Sequence, residues 1–203
     1  MPLFRSKAED KVRKAGFDPA RLPPGQYYTD KWPVLYAGDV PNADLATWTV
    51  EVFGEVETPI TLSMAELKAL PATEVTTDIH CVTRWSRFDA QFKGVHWREL
   101  AKLCTPKPSA HFVIAHADAG YTANVPLSAI EDEKVLIVYE ADGEPLTPDH
   151  GWPVRLFVPS KYFWKSAKWL TGIELSAVDK PGFWERYGYN NDADYWKEER
   201  YGF

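Results

Sequence analysis

Cysteine is nearly absent from the 203-residue chain. It occurs only as Cys81 and Cys104, too few for a disulfide scaffold, and a chain of this length buries about 70% of its unfolded surface without one. No run of about 18 apolar residues occurs, which excludes a membrane-spanning helix. The N-terminal stretch mixes charges of both signs and lacks the apolar core of an export signal, so a cytoplasmic protein is expected. Excess positive charge is missing too. With 23 Lys and Arg against 29 Asp and Glu, the net charge is −6, which argues against generic nucleic-acid binding. Neither a G-x-G-x-x-G loop nor a G-x-x-x-x-G-K-[ST] loop occurs, so neither type of nucleotide site is supported. There is no C-x-x-C or H-x-x-x-H pair to build a zinc site, and no internal repeat.

What is present is a globular composition, 45% apolar and 26% charged, with 9 Trp, 10 Tyr, 10 Phe and 16 Pro. Packed rings and fixed φ angles suit long ordered loops. Residues 6 to 15 fit a short polar helix, and five prolines between Phe17 and Pro41 predict an extended arm that gains order by docking. Period-two alternation with β-branched residues predicts a strand over 47–56. Ser63 and Glu66 form a capping box for a helix that Pro71 ends. Further strands are predicted over 73–79, 111–117, 121–126, 135–140, 153–158 and 168–176, with a helix from His96 to Leu103. Residues 80–87 show neither period. This order, without regular βαβ spacing, predicts an α+β fold of mixed or antiparallel sheets with short helices. Residues 1–203 are expected to form one domain, with 1–27 an N-terminal extension. The tail 179–203 holds eight aromatic residues, from Phe183 to Phe203, and should pack on the body.

Two segments carry chemistry. Between Asp149 and Glu174 there is no acid, whereas Arg155, Lys161, Lys165 and Lys168 stand among six aromatic residues. Isolated lysines are ordinarily just solvated, but cations among water-excluding rings suit a discrete phosphorylated ligand. A polyphosphate or nucleic acid is the other anionic candidate. The second segment surrounds Cys81, at a predicted strand end beside Arg84 and Arg87, a setting that favours the thiolate as nucleophile or metal ligand. A buried inert thiol is the plain alternative. A cysteine hydrolase would need His96, His116 or His150 as base. Cys104, at a helix end, reads as structural.

The runs Asp78-Ile79-His80-Cys81-Val82-Thr83-Arg84-Trp85-Ser86 and His150-Gly151-Trp152-Pro153-Val154-Arg155, followed by Lys161 to Trp169, resemble the molybdopterin-binding oxidoreductase domain of the sulfite oxidase superfamily. The similarity runs from about Tyr28 to the C-terminus and is greatest to small stand-alone bacterial members. It implies the sulfite oxidase-type α+β fold, with one pterin per molybdenum and Cys81 as the protein thiolate on the metal. It also implies that His150, Arg155, Phe163, Trp164, Lys165, Ser166 and Lys168 hold the pterin and its phosphate, with Thr29, Trp32, Pro33, His116 and Ala117 touching the pterin. The chain departs from sulfite oxidases in lacking their arginine-rich segment after the metal cysteine, so their substrate does not carry over.

The activity expected is two-electron oxygen-atom transfer on a small sulfur- or nitrogen-centred substrate, with Arg84 placing that substrate and a separate partner exchanging electrons. Three rivals remain: a non-catalytic molybdopterin carrier, a metal-free thiol enzyme and an aromatic-rich binding module.

Overall fold

The computed structural model describes residues 7–35 and 38–202. Helix α1 (Lys7–Lys14) agrees with the polar helix predicted there, except that Ser6 lies outside the described residues. Strands β1 (Tyr27–Tyr28), β2 (Thr49–Gly54) and β3 (Ile60–Ser63) follow. Helix α2 (Met64–Ala69) starts at the predicted capping box, where Ser63 Oγ accepts from the Glu66 amide and Glu66 accepts from the Ser63 amide. Then come β4 (Ala72–His80), β5 (Trp85–His96), α3 (Trp97–Cys104), β6 (Phe112–Ala117) and β7 (Thr122–Pro126). The chain continues through α4 (Leu127–Ile130), β8 (Leu136–Ala141), β9 (Glu144–Pro145), β10 (Arg155–Phe157), β11 (Leu170–Ser176) and α5 (Phe183–Arg186).

The strands form two mixed sheets. In one, β5 is the spine, pairing with β4 and β8 antiparallel and with β1 parallel, while β10 and β9 both join β8. The other runs β3-β2-β11-β6-β7, and only its β2–β11 pair is parallel. The main core lies between them, drawing Val50, Val52, Val113, Ile173 and Leu175 from the second sheet and Val95, Ile137 and Leu156 from the first. Cys81 belongs to a smaller cluster with Ile79, Trp85, Phe92 and Phe157. Among the described residues no helix is long and apolar enough to cross a membrane.

Strand β5 corrects the sequence reading, which found no period at its start and no strand in it. Its middle does alternate, with Phe88, Ala90, Phe92 and Gly94 buried and Asp89 and Gln91 exposed, but the small Ala90 and Gly94 make that period faint in sequence, and it breaks at both ends, where Trp85 and Ser86, and Gly94 to His96, are buried in succession. The arm docks as predicted. Tyr27 and Tyr28 pair with Trp85 and Ser86, Phe17, Tyr28 and Phe88 form a ring cluster, and Arg21 bridges Asp78 and Asp89. The tail packs through Trp184, Tyr189 and Tyr195 against Tyr162 and Trp164, whereas Tyr187, Trp196 and Tyr201 stay at least half exposed. Phe203 lies outside the described residues.

Candidate active site

The sequence at Cys81 builds a tight turn between β4 and β5. Cys81 N donates to Trp85 O at 2.9 Å, Arg84 N donates to Cys81 O at 2.9 Å, and Arg84 takes φ +77° to close it. Both flanking arms brace this turn. Gln26 Nε2 donates to Cys81 O at 3.1 Å, and Arg200 Nη1 donates to Val82 O at 2.7 Å. The Cys81 thiol is itself 8% exposed, and Thr83 Oγ1 donates to its sulfur at 3.2 Å.

A cleft of about 280 Å³ opens over this thiol. Of the residues expected to hold a cofactor, it brings together Trp32, Pro33, Cys81, Arg155, Phe163, Trp164, Ser166 and Lys168. Backbone pairing explains the grouping: Leu156 N donates to Ala167 O and Leu170 N to Val154 O, both at 2.9 Å, which sets β10 alongside 166–170. Arg155 is 1% exposed. Its Nη1 and Nη2 donate to the His150 and Ser166 carbonyls, each at 2.8 Å, and its guanidinium lies 4.3 Å from the Phe163 ring centroid. Among the described residues no carboxylate pairs with Arg155, and its buried Nε has no partner. Burial therefore pushes its pKa down to about 9. Lys168 Nζ donates to Leu35 O at 2.8 Å and Asp149 O at 2.7 Å, and burial, with Arg155 nearby, pushes its pKa down to about 7. Two cations crowded in a ring-lined cleft form a site suited to an anion.

Gly151 fits this packing tightly. At φ +107°, a Cβ there would stand 3.0 Å from Lys168 Cβ and 3.2 Å from Arg155 Cβ. Gly151→Ala is expected to cost about 1–3 kcal/mol in urea unfolding, from the left-handed backbone and the displaced side chains, and to lower anion affinity with it.

Other expected site residues lie elsewhere. His150 does not line the cleft but backs it, its ring 4.0 Å from that of Trp32. Its Nε2 donates to Trp32 O at 3.3 Å, and its Nδ1 accepts from Thr147 at 2.8 Å. Thr29 lies in the docked arm, its amide bonded to Ser86 O at 2.9 Å. Lys165 turns away from the cleft: its ammonium pairs with Glu185 at 2.6 Å and donates to Asn124 O and Oδ1 at 2.8 and 3.0 Å, which uses all its donors. His116 faces a second depression with Asp44, Glu51 and Phe53 and donates to Glu174 at 2.9 Å, while Ala117 is buried beside it.

Arg84 is exposed and does not line the cleft, and Arg87 pairs with Asp142 at 2.6 Å. The local cations thus do not create the thiolate-favouring setting expected from the sequence. Burial, only partly opposed by the Thr83 hydroxyl, pushes the Cys81 thiol above its usual pKa. A thiol of this kind is inert as a free nucleophile and becomes a thiolate when a metal displaces its proton. No histidine bonds to it among the described residues; the rings of His96, His116 and His150 are committed to Asp132, Glu174 and Trp32.

The sequence reading missed Trp85, Asp118, Tyr121, Trp184 and Tyr189, which also line the cleft. Burial raises the Tyr189 phenol pKa, and proximity to Cys81 adds to the shift. The aromatic richness of the tail was the available signal, but composition could not say which rings would turn inward.

The chain matches the family described as "Oxidoreductase molybdopterin binding domain" over residues 37–184. It is 46% identical to the uncharacterized oxidoreductase YuiH of Bacillus subtilis (strain 168), over 89% of this chain and 92% of that protein. It is 28% identical to mitochondrial sulfite oxidase of Rattus norvegicus, covering 82% of this chain but 37% of the relative. With the methionine-sulfoxide reductase catalytic subunit MsrP of Campylobacter jejuni it shares 27% identity over 72% of this chain and 54% of that one. The chain therefore spans only about a third to a half of these last two relatives. Among solved structures, the sulfane dehydrogenase SoxCD of Paracoccus pantotrophus superposes with TM-score 0.64 at 19% identity, covering 73% of this chain and 42% of that one, which shows a common fold.

Proposed function

The chain belongs to the oxidoreductase molybdopterin-binding domain family, and from that premise we propose that it moves an oxygen atom, with two electrons, to or from a small sulfur- or nitrogen-centred substrate. The observation that carries this reading is Arg155, a buried guanidinium without a carboxylate partner, in an aromatic cleft that also holds the Cys81 thiol. These residues fit a pterin bearing a phosphate and a metal. Arg155 and Lys168 supply charge and donors for the phosphate, Trp32 and Phe163 supply flat apolar walls, and Cys81 supplies one soft sulfur ligand. Among the described residues no three His, Cys, Asp or Glu side chains cluster as a metal site, so a metal at Cys81 would take its remaining ligands from the cofactor and solvent. We assign one pterin per molybdenum and electron exchange with a separate carrier. When bound, the cofactor supplies the two-electron chemistry; the chain orients it and keeps the cleft dry.

The test is molybdenum by elemental mass spectrometry and pterin by its fluorescent oxidation product, on protein from a host that makes the cofactor. Near one metal and one pterin per chain, with dye-linked turnover, is the expected result. Pterin and metal without any turnover would point to a carrier, and their absence would overturn the assignment.

Lys168 adds a pH signature. An ammonium whose pKa is pushed down to about 7 loses its proton as pH rises through that value, and the anion site loses a charge with it. Binding of sulfate, whose charge is constant over this range, to cofactor-free protein is expected to weaken by roughly tenfold between pH 6 and pH 8.5, and Lys168→Met to flatten the profile. Calorimetric titration at several pH values measures both.

A further inference from the structure

The turn that carries Cys81 also aims a donor at its sulfur. Cys81 is the first residue of the turn and Arg84 the last, closed by the bond from Arg84 N to Cys81 O at 2.9 Å, so Thr83 holds the third position. Thr83 lines the same cleft as the thiol, and its Oγ1 donates to Cys81 Sγ at 3.2 Å. The cations that neighbour Cys81 in sequence do not take this place: Arg84 is exposed and does not line the cleft, and Arg87 is held by Asp142 at 2.6 Å.

The direction of this bond is set by the fold. Threonine is β-branched, which restricts χ1 and with it the directions open to the hydroxyl. The main chain on which it stands is held from outside the turn, by Gln26 Nε2 on Cys81 O at 3.1 Å and by Arg200 Nη1 on Val82 O at 2.7 Å, while Cys81 N donates to Trp85 O at 2.9 Å. A metal-bound thiolate keeps lone pairs that accept, and a hydrogen bond to an ionised acceptor is stronger than one to a neutral thiol. Ligation by a metal therefore strengthens the Thr83 bond.

We propose that Thr83 is a positioning residue for the Cys81 sulfur and that its hydroxyl raises the reduction potential of the metal held there. The donor draws electron density from the sulfur. Less of it reaches the metal, which favours the reduced state, the one richer in electrons. The inference rests on the reading of Cys81 as the metal ligand and adds the residue that tunes it. A threonine that served only the shape of the turn would leave the potential unmoved.

The test is a redox titration of the molybdenum-loaded protein with dithionite and ferricyanide, followed by the electron paramagnetic resonance of the one-electron-reduced metal. Wild type is compared with Thr83→Val, which keeps the branched shape and excludes water but carries no donor, and with Thr83→Ser, which restores the donor. Thr83→Val is expected to disfavour reduction by about threefold to tenfold at unchanged molybdenum content, tenfold being 59 mV for a one-electron couple. Thr83→Ser should recover at least about half of that shift. A change below about threefold in Thr83→Val, a change in the opposite direction, or a smaller recovery by Thr83→Ser overturns the tuning role and leaves the oxygen-transfer reading standing. If Thr83→Val does not hold molybdenum, Thr83→Ala is titrated in its place, and loss of the metal from both variants assigns Thr83 to metal retention and overturns the tuning role as well. Wild-type protein that carries neither metal nor pterin overturns both readings.

Discussion

Cys81→Ser is expected to reduce molybdenum to less than about a tenth of the wild-type content while most of the pterin stays, and dye-linked turnover should fall at least about a thousandfold. Serine offers a hard oxygen of high pKa in place of a soft sulfur, so the contribution of the protein to metal affinity disappears. The change is nearly isosteric at a site 8% exposed, and the turn around it is held by main-chain bonds and by Gln26, so folding stability should move by less than about 1 kcal/mol. Cys104→Ser is the contrasting case. That thiol is fully buried in the main core, and the new hydroxyl should cost about 1–3 kcal/mol of stability while metal per folded chain is unchanged. Elemental analysis and urea unfolding on both variants separate the roles; equal molybdenum in wild type and Cys81→Ser would refute metal ligation by this residue.

Arg155→Met should remove pterin and metal together, which distinguishes it from the cysteine variant. Each charge-assisted bond to a phosphate contributes about 1.5–3 kcal/mol, so losing the fork should weaken pterin retention by at least about tenfold, and more if both arms engage. Stability of the cofactor-free protein should change by no more than about 1–2 kcal/mol. Removing a buried cation that has no carboxylate partner relieves its desolvation, which offsets the donors lost by the His150 and Ser166 carbonyls. Pterin quantitation after gel filtration reads the first effect and urea unfolding the second. Retention of a full complement of pterin by Arg155→Met would show that the phosphate is held elsewhere.

How much of this was legible in the sequence depended on whether the signal was local. The α2 capping box, the position of α3 and the half-buried strands follow from spacing over a few residues, and the structure reproduces them to within a few residues. Strand β5 escaped because its alternation is short, rests partly on the small Ala90 and Gly94, and is broken at both ends by consecutive buried residues. The cleft shows the same division. Arg155, Ser166 and Lys168 were legible because β10 and the segment after it are close in sequence and pair directly. Lys165 differs from Lys168 through Glu185, twenty residues further on, and Asn124, forty-one residues back, which together claim its ammonium. Residue type makes two lysines in one loop look equivalent; tertiary pairing decides which of them faces the cleft. Trp184 and Tyr189 are the same case in reverse, since nothing in the local sequence of the tail marks the rings that turn toward Cys81.

The bracing of the Cys81 turn has a consequence in time. Its two side-chain supports come from 55 positions upstream, at Gln26, and, for Val82, from 118 positions downstream, at Arg200. Contacts that distant in sequence close late, because the loop entropy must be lost before they return any energy. A nascent chain whose residue 200 is still inside the ribosome can pair β4 with β5 yet must hold its cysteine on a half-supported loop. Completion of the Cys81 turn is thereby expected to wait until both arms have been made, and a shortened chain would carry this cysteine on a loop that lacks one of its supports.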